Sequence, residues 1–306
     1  MENTPGSIIK HLRLQKNISQ EELAEGIIDR AHLAHIENGR WGLSQETLDA
    51  LVRRLGYATC DFPNLVLTYV EQKILTMREK LGDCLGIHDY EAATSLISEM
   101  ETIPEFRDGL HKQFLLKSKA ALCLGTEGNI SLTRTYLNEA ARTISPDFKE
   151  RSIPGYFLTG EDVEVITMMA ELYSLEDLLD KAVALLDMLL QSLDKSAMDA
   201  YLKAQCIIII LLNKALYLER QKKYRKALDT CNIAISASQT NRIYGYIPQL
   251  MVSKACCLCV INKSNEEEAK YLFRQAYYTK LAFGLNVQAD KLKEDILSEY
   301  KIDFIV

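Results

Sequence analysis

Cysteines and histidines are the residues of this chain best able to bind a metal or to act as nucleophiles, and it has eight cysteines and five histidines. A zinc site places such ligands at short, matched spacings. The histidines form no matching pair, and Cys256, Cys257 and Cys259 fall within one apolar, helix-like stretch. We therefore interpret the cysteines as reduced, mostly buried thiols, and we expect neither a metal nor a cofactor.

Catalytic signatures of other kinds do not stand out. The sequence has no Gly-rich phosphate loop, no nucleophile elbow and no paired-carboxylate signature. Its acidic residues lie mainly on helix faces that should be solvated. An enzyme is therefore the weakest interpretation, and we expect a protein that works by binding other molecules.

Composition and charge indicate a helical protein, and its length suggests about two domains. The chain has 306 residues, 14 glycines, 6 prolines and a formal net charge of -6. A negative charge argues against a protein that coats nucleic acid or anionic membrane through charge alone. The N-terminus lacks the layout of a signal peptide, and the longest apolar run, near 207–212, is shorter than the ~18 residues that span a bilayer. We expect a cytoplasmic protein.

Four helices are predicted within residues 7–57. Each is expected to begin at a side chain that can accept a hydrogen bond from the first free amides of the helix. These capping residues are Ser7, Ser19, Asp29 and Ser44. Glu22, three residues after Ser19, completes a capping box, and Asn38-Gly39 ends the third helix because glycine tolerates the left-handed conformation.

The segments Ser-Gln-Glu-Glu-Leu-Ala (19–24) and Ile-Glu-Asn-Gly (36–39) resemble the Xre/Cro-C1 class of helix-turn-helix domains. The resemblance covers residues 7–57. It implies that the third helix enters the DNA major groove with its N-terminal half, where Arg30 would read guanine. Gln20, at the start of the second helix, would dock on a phosphate. The DNA-binding residues expected from it are Gln20, Arg30, Ala31, His32, His35, Asn38 and Arg40.

The same resemblance implies a buried ion pair between Arg13 and Glu37, which would hold the first helix against the third. Residues 1–56 contain seven Lys or Arg and eight Asp or Glu. Because phosphate contacts supply much of the affinity for DNA, such a near-neutral domain should bind weakly alone and need a dimer on two half-sites. Trp41, the only tryptophan, is expected to pack against the fourth helix, with a DNA-backbone contact as the alternative.

Beyond the break at 60–64, amphipathic segments alternate with short turns, as in stacked helix pairs. Tyr90 and Tyr224 each precede a small residue by three positions, Ala93 and Ala227. Small residues let helices approach closely, and the aromatic ring fills the gap. This resembles the tetratricopeptide-repeat class. The predicted fold is all-α, with a DNA-binding domain and linker at 1–64 and a right-handed α-solenoid at 65–306; its helix pairs are 65–102, 106–144, 160–193, 197–238 and 244–283, with a capping helix at 286–300.

The inner wall of such a solenoid typically holds an extended peptide. Asparagine suits this task because its amide donates and accepts hydrogen bonds together. Asn213 is the leading candidate, and Arg242 or Lys254 could meet a peptide carboxylate. The other candidates are Gln205, Tyr201, Tyr217, Tyr246 and Gln249. For each residue the alternative is an ordinary solvated or inter-helix polar side chain.

A chain that combines these two halves resembles the RRNPP group of peptide-pheromone-responsive regulators of Gram-positive bacteria. The resemblance covers essentially the whole chain. The turn between the second helix (residues 23–27) and the third helix (residues 33–38) is short, as is typical of those regulators. The resemblance implies a homodimeric transcription factor whose partners are double-stranded operator DNA and a short imported signalling peptide. The peptide would change the placement of the two DNA-binding heads through the linker at 57–65.

Two alternatives remain open, and a third role is discounted. In one, the helix-turn-helix is an inert packing unit of a scaffold that holds a protein partner. In another, the regulator responds to a small molecule or a protein instead of a peptide. Relatives that act on response-regulator phosphorylation usually carry a different N-terminal domain, so we discount that role.

Overall fold

The computed structural model describes residues 4–57, 69–196 and 198–305. These residues form α-helices, short 3-10 helices and turns, with no strand among them, so the predicted all-α class is confirmed. The chain divides into two compact units, Met1–Ile87 and His88–Val306. The predicted domain boundary at 64/65, the break at 60–64 and most of the predicted linker lie outside the described residues.

The helices of the first unit are α1 (Pro5–Gln15), α2 (Gln20–Ala24), α3 (Arg30–Glu37), α4 (Gln45–Arg54) and α5 (Tyr69–Gly86). Three predicted caps are confirmed: Ser19, Asp29 and Ser44 accept hydrogen bonds from the amides of Glu22, His32 and Thr47.

The predicted cap of the first helix is wrong. Thr4 caps α1, and Ser7 lies one turn inside the helix, where its hydroxyl accepts from the Thr4 amide. Pro5 explains the earlier start, because its fixed φ suits the first helical position and its missing amide hydrogen costs nothing there. The predicted end of the third helix is also observed: Gly39, just after α3, has φ 70°, the left-handed conformation common after a helix.

A small apolar core holds α1 to α4 together. Ile9, Leu23, Leu33 and Leu51 are fully buried in it, whereas Leu14 is 56% exposed. Gly6 sets the distance between α1 and α3: a Cβ atom at this position would lie 1.9 Å from the carbonyl oxygen of Ile36. The backbones of the two helices can touch here only because residue 6 has no side chain.

The second unit is a series of helices in sequential contact. They are α6 (Tyr90–Thr102), α7 (Gly109–Glu127), α8 (Ile130–Ala141), α9 (Gly160–Leu175), α10 (Leu179–Asp194), α11 (Ala200–Arg220), α12 (Tyr224–Asn241), α13 (Ile247–Ile261), α14 (Glu266–Ala282) and α15 (Asn286–Tyr300). Short 3-10 helices lie at Pro104–Arg107, Glu150–Gly155 and Lys263–Asn265. Helices pack within each pair, as α7 on α8 or α11 on α12, and between pairs, as α10 on α11. The four predicted pairs after the first, and the final helix, are thus observed close to their predicted bounds.

Small residues of the repeats are buried in the helix packing. Ala93 and Ala227, the small residues predicted after Tyr90 and Tyr224, are fully buried, and so are Ala140, Ala182, Ala234, Ala269 and Ala276. The ring of Tyr90 lies against Gly125, where a Cβ atom would fall 2.5 Å from the tyrosine hydroxyl. The aromatic ring therefore fills a gap that only glycine leaves open.

Helix α11 is long and apolar as a whole, although its longest uninterrupted apolar run is short. Its 21 residues have the length and hydropathy to cross a membrane, whereas no such segment was expected from the sequence. Ile208, Ile210 and Ala215 of this helix are fully buried, and α11 packs against α9, α10, α12 and α13. We therefore interpret α11 as the central core helix of the repeats.

Gly6→Ala should destabilise the first unit. The added methyl group must push α1 away from the Ile36 carbonyl, which we expect to lower the free energy of unfolding by about 2 kcal/mol or more. The measurement is thermal unfolding followed by circular dichroism. The matched control is Gly42→Ala, since a Cβ atom there meets nothing within 4 Å. Equal melting temperatures for the two variants would contradict the close-approach argument.

Candidate DNA-binding and ligand-binding sites

Helix α3 presents its first residues to solvent. The Arg30 side chain is 65% exposed, and Ala31 is exposed beside it. The Nε atom of Arg30 lies 3.9 Å from Oε1 of Glu21, which is also largely exposed. A surface ion pair of this kind contributes little free energy, so Arg30 can exchange Glu21 for another partner at small cost.

Two predicted residues on α3, His32 and His35, share a contact with Trp41. The ring centroids of His35 and Trp41 lie 4.7 Å apart in a stacked arrangement, and those of His32 and Trp41 lie 4.8 Å apart, edge to face. Sequence reasoning expected Trp41 on the fourth helix; the structure places its ring on these histidines of the third. The available signal was the spacing of the two histidines, which puts them on one helix face.

The remaining DNA-binding candidates differ in how much of their hydrogen bonding is already used. Gln20 donates from Nε2 to Oε2 of Glu37 at 2.8 Å. Asn38 donates to the Ala34 carbonyl at 2.8 Å and accepts from Nζ of Lys10 at 3.4 Å. Arg40 is exposed. The amide groups of Gln20 and Asn38 therefore have partners inside the domain.

An open groove of about 480 Å³ brings Gln20 and Arg30 together. Arg13, Ser19 and Glu21 complete its lining. It lies where α2 and α3 begin, so the two predicted residues share one polar surface.

The predicted ion pair between Arg13 and Glu37 is confirmed. Both side chains are buried, and the guanidinium meets the carboxylate through two hydrogen bonds, Nε to Oε1 at 2.7 Å and Nη2 to Oε2 at 2.9 Å. Arg13 also donates to the Ile18 carbonyl at 2.9 Å. The hydrogen bond to Glu37 raises the pKa of Arg13. The network ties α1, the turn before α2, and α3 into one rigid unit.

Glu37→Gln should weaken the domain without changing its surface charge pattern near Arg30. It leaves the buried guanidinium without a charged partner, which we expect to cost about 2 kcal/mol of unfolding free energy. Chemical denaturation measures the loss. Glu46→Gln, at an exposed position on α4, is the control and should change stability by less than about 0.5 kcal/mol. A Glu37→Gln protein as stable as the control would show that the pair contributes nothing.

In the second unit a groove of about 500 Å³ opens between α9, α11 and α15. Two predicted peptide-binding residues line it, Asn213 and Tyr217. Asn213 is half-buried and donates from Nδ2 to the Ile209 carbonyl at 3.2 Å, a bond within its own helix. Tyr217 is only 6% exposed, and burial raises its pKa.

The structure does not bring the rest of the predicted peptide-binding set to this groove. Tyr201 and Gln205 lie on α11 roughly 18 Å and 12 Å from Asn213 along the helix axis, at 1.5 Å per residue. Lys254 forms an ion pair with Glu268, with 3.7 Å between Nζ and Oε1. Arg242 is exposed at the end of α12. Tyr246 and Gln249, at the start of α13, are also outside its lining. Their proposed peptide contacts remain predictions.

Sequence reasoning missed the charged residues of this groove, Glu171, Glu219 and Arg220. Glu171 is exposed and Glu219 half-buried, and partial desolvation by neighbouring protein atoms raises the pKa of both glutamates. Glu219 accepts from the Ser253 hydroxyl at 3.1 Å, and Arg220 donates to the Ser174 hydroxyl. No sequence spacing could have joined them, because Glu171 comes from α9 and the other two from α11.

The cysteines of the second unit are buried thiols, except for the half-buried Cys259. Burial raises the pKa of Cys231 to about 11 and that of Cys256 to about 12, so both are protonated at neutral pH. Cys256 and Cys259 have the Cys-x-x-Cys spacing within α13, yet no cluster of His, Cys, Asp and Glu among the described residues is arranged to hold a metal ion. We interpret these cysteines as packing residues.

Known proteins match this chain in two ways, locally by sequence and over nearly its full length by structure. The Helix-turn-helix family matches residues 9–62. No curated protein matches the sequence. PlcR from Bacillus thuringiensis, solved in complex with the peptide PapR7 and DNA, has a TM-score of 0.71 at 17% identity, and the match covers 94% of this chain and 98% of that chain.

Two streptococcal structures match over similar lengths. ComR from S. thermophilus, in complex with DNA and its signalling peptide ComS, has a TM-score of 0.56 at 17% identity, covering 96% of this chain and 99% of that one. The SHP pheromone receptor Rgg2 from Streptococcus dysgalactiae has a TM-score of 0.55 at 13% identity, with coverage of 96% and 99%.

The chain has the fold of the RRNPP regulators. The predicted resemblance is thus confirmed for the fold, from the helix-turn-helix domain through the helical repeats.

Proposed function

We propose that this protein is a cytoplasmic, homodimeric transcription regulator that binds operator DNA and responds to a short signalling peptide. The observation that carries the proposal is the fold shared with PlcR over 94% of this chain, since that structure holds a peptide and DNA together. The two grooves described above give each ligand a candidate site.

The DNA half of the proposal rests on α3. Arg30 and Ala31 are exposed at its N-terminal end, and the Arg13–Glu37 pair fixes α3 against α1. An arginine can pair with guanine through two hydrogen bonds in the major groove. Because residues 1–56 are nearly neutral, a single DNA-binding domain should have low affinity for DNA. A dimer that binds two half-sites supplies the remaining affinity.

The ligand half rests on the groove around Asn213. A peptide backbone offers alternating donors and acceptors, and the Oδ1 atom of Asn213 has no partner among the described residues. Its Nδ2 bond to the Ile209 carbonyl fixes the orientation of the amide. Asn213 therefore offers a positioned acceptor on a rigid core helix.

The control mechanism is a shift between two arrangements of the dimer. Two heads read two half-sites only when their separation matches the DNA repeat, about 34 Å per helical turn. A peptide that binds one arrangement more tightly favours it, by no more than its difference in affinity for the two. The residues between the two halves, 57–65, would transmit the change.

A second candidate is a regulator that responds to a small molecule. The groove volume of about 500 Å³ falls within the range of small-molecule sites, roughly 300 to 1,000 Å³. A short open reading frame with a secretion signal beside the gene would favour the peptide.

A gel-shift titration tests the proposed function. The full-length protein is mixed with its own promoter fragment, with and without a synthetic peptide from the adjacent small open reading frame. A shift that changes with peptide supports the proposal. A shift that is indifferent to peptide retains the DNA half alone, and no shift under either condition contradicts both.

Arg30→Ala should remove sequence-specific DNA binding and leave folding and dimerisation intact. Loss of a base-reading arginine costs about 1 to 3 kcal/mol of operator affinity, while the exposed pair with Glu21 contributes little to stability. Operator and scrambled duplexes are compared by fluorescence anisotropy. Arg53→Ala, at an exposed position on α4, is the control. Wild-type operator affinity in the Arg30 variant would exclude Arg30 from base reading.

Asn213→Ala should weaken the response to peptide and preserve DNA binding without it. The matched control is Asn241→Ala, since Asn241 makes the same bond to a carbonyl four residues earlier, on α12, but lies outside the groove. Peptide titrations of the DNA shift compare the two. If the Asn213 variant responds at wild-type peptide concentration, the peptide binds elsewhere.

A further inference from the structure

Three aromatic side chains form a cluster on helix α3 and just after it. The ring of Trp41 stacks on that of His35, with 4.7 Å between centroids and 25° between planes, and it meets the ring of His32 edge to face at 4.8 Å. Both histidines are half-buried, whereas Trp41 is 53% exposed. The only tryptophan of the chain thus covers two histidines and stays outside the apolar core of its domain.

The polar atoms of these two histidine rings are not used within the domain. Among the described residues, neither imidazole takes part in an ion pair or a hydrogen bond. The Asp29 carboxylate accepts only from the backbone amide of His32, and Arg40 after the helix is exposed. Helices α1 and α2 pack on α3, and their charged side chains that reach it are bonded to other groups: Lys10 to Asn38, Arg13 to Glu37 and Glu21 to Arg30. The ring nitrogens of both histidines are therefore available to a molecule outside the domain.

The contact with Trp41 also fixes how the His35 ring is presented. A histidine on a helix surface loses side-chain entropy when a ligand orders it, which weakens binding. Stacking orders the ring of His35 in advance through its face and leaves its edge, which carries both nitrogens, unobstructed. Because the face of an indole attracts a cation, the stack persists when the imidazole gains a proton.

We propose, on the basis of the proposed function that places α3 on DNA, that Trp41 is a positioning residue that holds His32 and His35 as contacts for DNA phosphates. Protonation of the two imidazoles then makes DNA binding tighter as the pH falls. Imidazoles ordinarily gain a proton near pH 6.5, close to physiological pH. Residues 1–56 contain seven Lys or Arg and eight Asp or Glu, so two protonated imidazoles change their formal charge from -1 to +1. In a domain with so little positive charge, two added cations are a large part of its attraction to phosphates.

The other arrangement is contact of the two histidines with base edges. Phosphates are present in every duplex, whereas base edges distinguish the operator from other sequences. The shortage of positive charge in residues 1–56 favours the phosphates. Contact with base edges becomes an outcome of the test.

The test is a pH series of DNA binding by the full-length protein. Fluorescence anisotropy gives the Kd of an operator duplex and of a scrambled duplex at constant ionic strength. A phosphate stabilises the protonated imidazole, so both duplexes should bind about tenfold more tightly at about pH 6 than at about pH 8. The His32→Gln/His35→Gln variant should lose most of this gain. The matched control is His11→Gln, an exposed histidine on α1, which should keep it.

Variants of Trp41 separate a positioning role from a purely structural one. Trp41→Ala should flatten the pH profile, and Trp41→Phe, which restores an aromatic face, should recover it. Thermal melting shows whether each variant folds.

The fluorescence of Trp41 reports the stack in the wild type without DNA. A protonated imidazole quenches a stacked indole, so the emission of this single tryptophan should fall as the pH decreases through about 6.5. The His32→Gln/His35→Gln variant should not show this change. Emission that does not change with pH in the wild type would contradict the stack.

The outcomes separate this inference from the function on which it rests. If affinity is independent of pH, if the gain is confined to the operator, or if the gain survives in Trp41→Ala, the inference is overturned and DNA binding remains. If neither duplex binds at any pH, the proposed function is overturned as well.

Discussion

Close packing between helices, made possible by small residues, is the constraint on which both units depend. At Gly6 the backbone of α1 reaches the carbonyl of Ile36, and at Gly125 the helix makes room for the ring of Tyr90. In the repeats, alanines such as Ala182 and Ala227 are fully buried. A methyl group added at residue 6 would meet the Ile36 backbone and must move α1, whereas one added at residue 125 would meet the end of the Tyr90 side chain. These small residues therefore fix where the polar side chains lie.

The two units differ in where they place their charged side chains. In the helix-turn-helix domain, the guanidinium of Arg13 meets the carboxylate of Glu37 through two hydrogen bonds, so the charges compensate each other and hold α3 rigid. In the groove of the second unit, Glu171 is exposed, and Glu219 is half-buried and accepts from the Ser253 hydroxyl. The first arrangement stabilises a surface that must keep its shape.

Local features of the fold could be predicted from the sequence, and the groove could not. The caps at Ser19, Asp29 and Ser44 involve residues only three positions apart, so their pattern is visible in the chain. The helix pairs follow from apolar spacing for the same reason. The start of α1 was missed because Pro5 extends the helix back to Thr4, which outweighed the signal from Ser7.

Residues that meet across helices carry no such spacing. Glu171 and Asn213 come from different helix pairs, so their contact with one groove depends on how the pairs stack. The candidates near the start of α11 shared a helix with Asn213, but helical rise separates them from it. Trp41 was placed on the wrong helix for a related reason, since its stacking on His35 depends on the path of the chain after Gly39. Tertiary contacts of this kind need the structure.

The proposed regulation requires that ligand binding in the repeats and DNA binding at α3 are coupled. The decisive measurement is the Kd of a labelled peptide for the full-length protein, with and without a saturating promoter duplex. Coupling is reciprocal, so the duplex should change the peptide Kd by the same factor by which peptide changes the affinity for the duplex. An identical peptide Kd in the two conditions, with both ligands bound, would contradict the coupling.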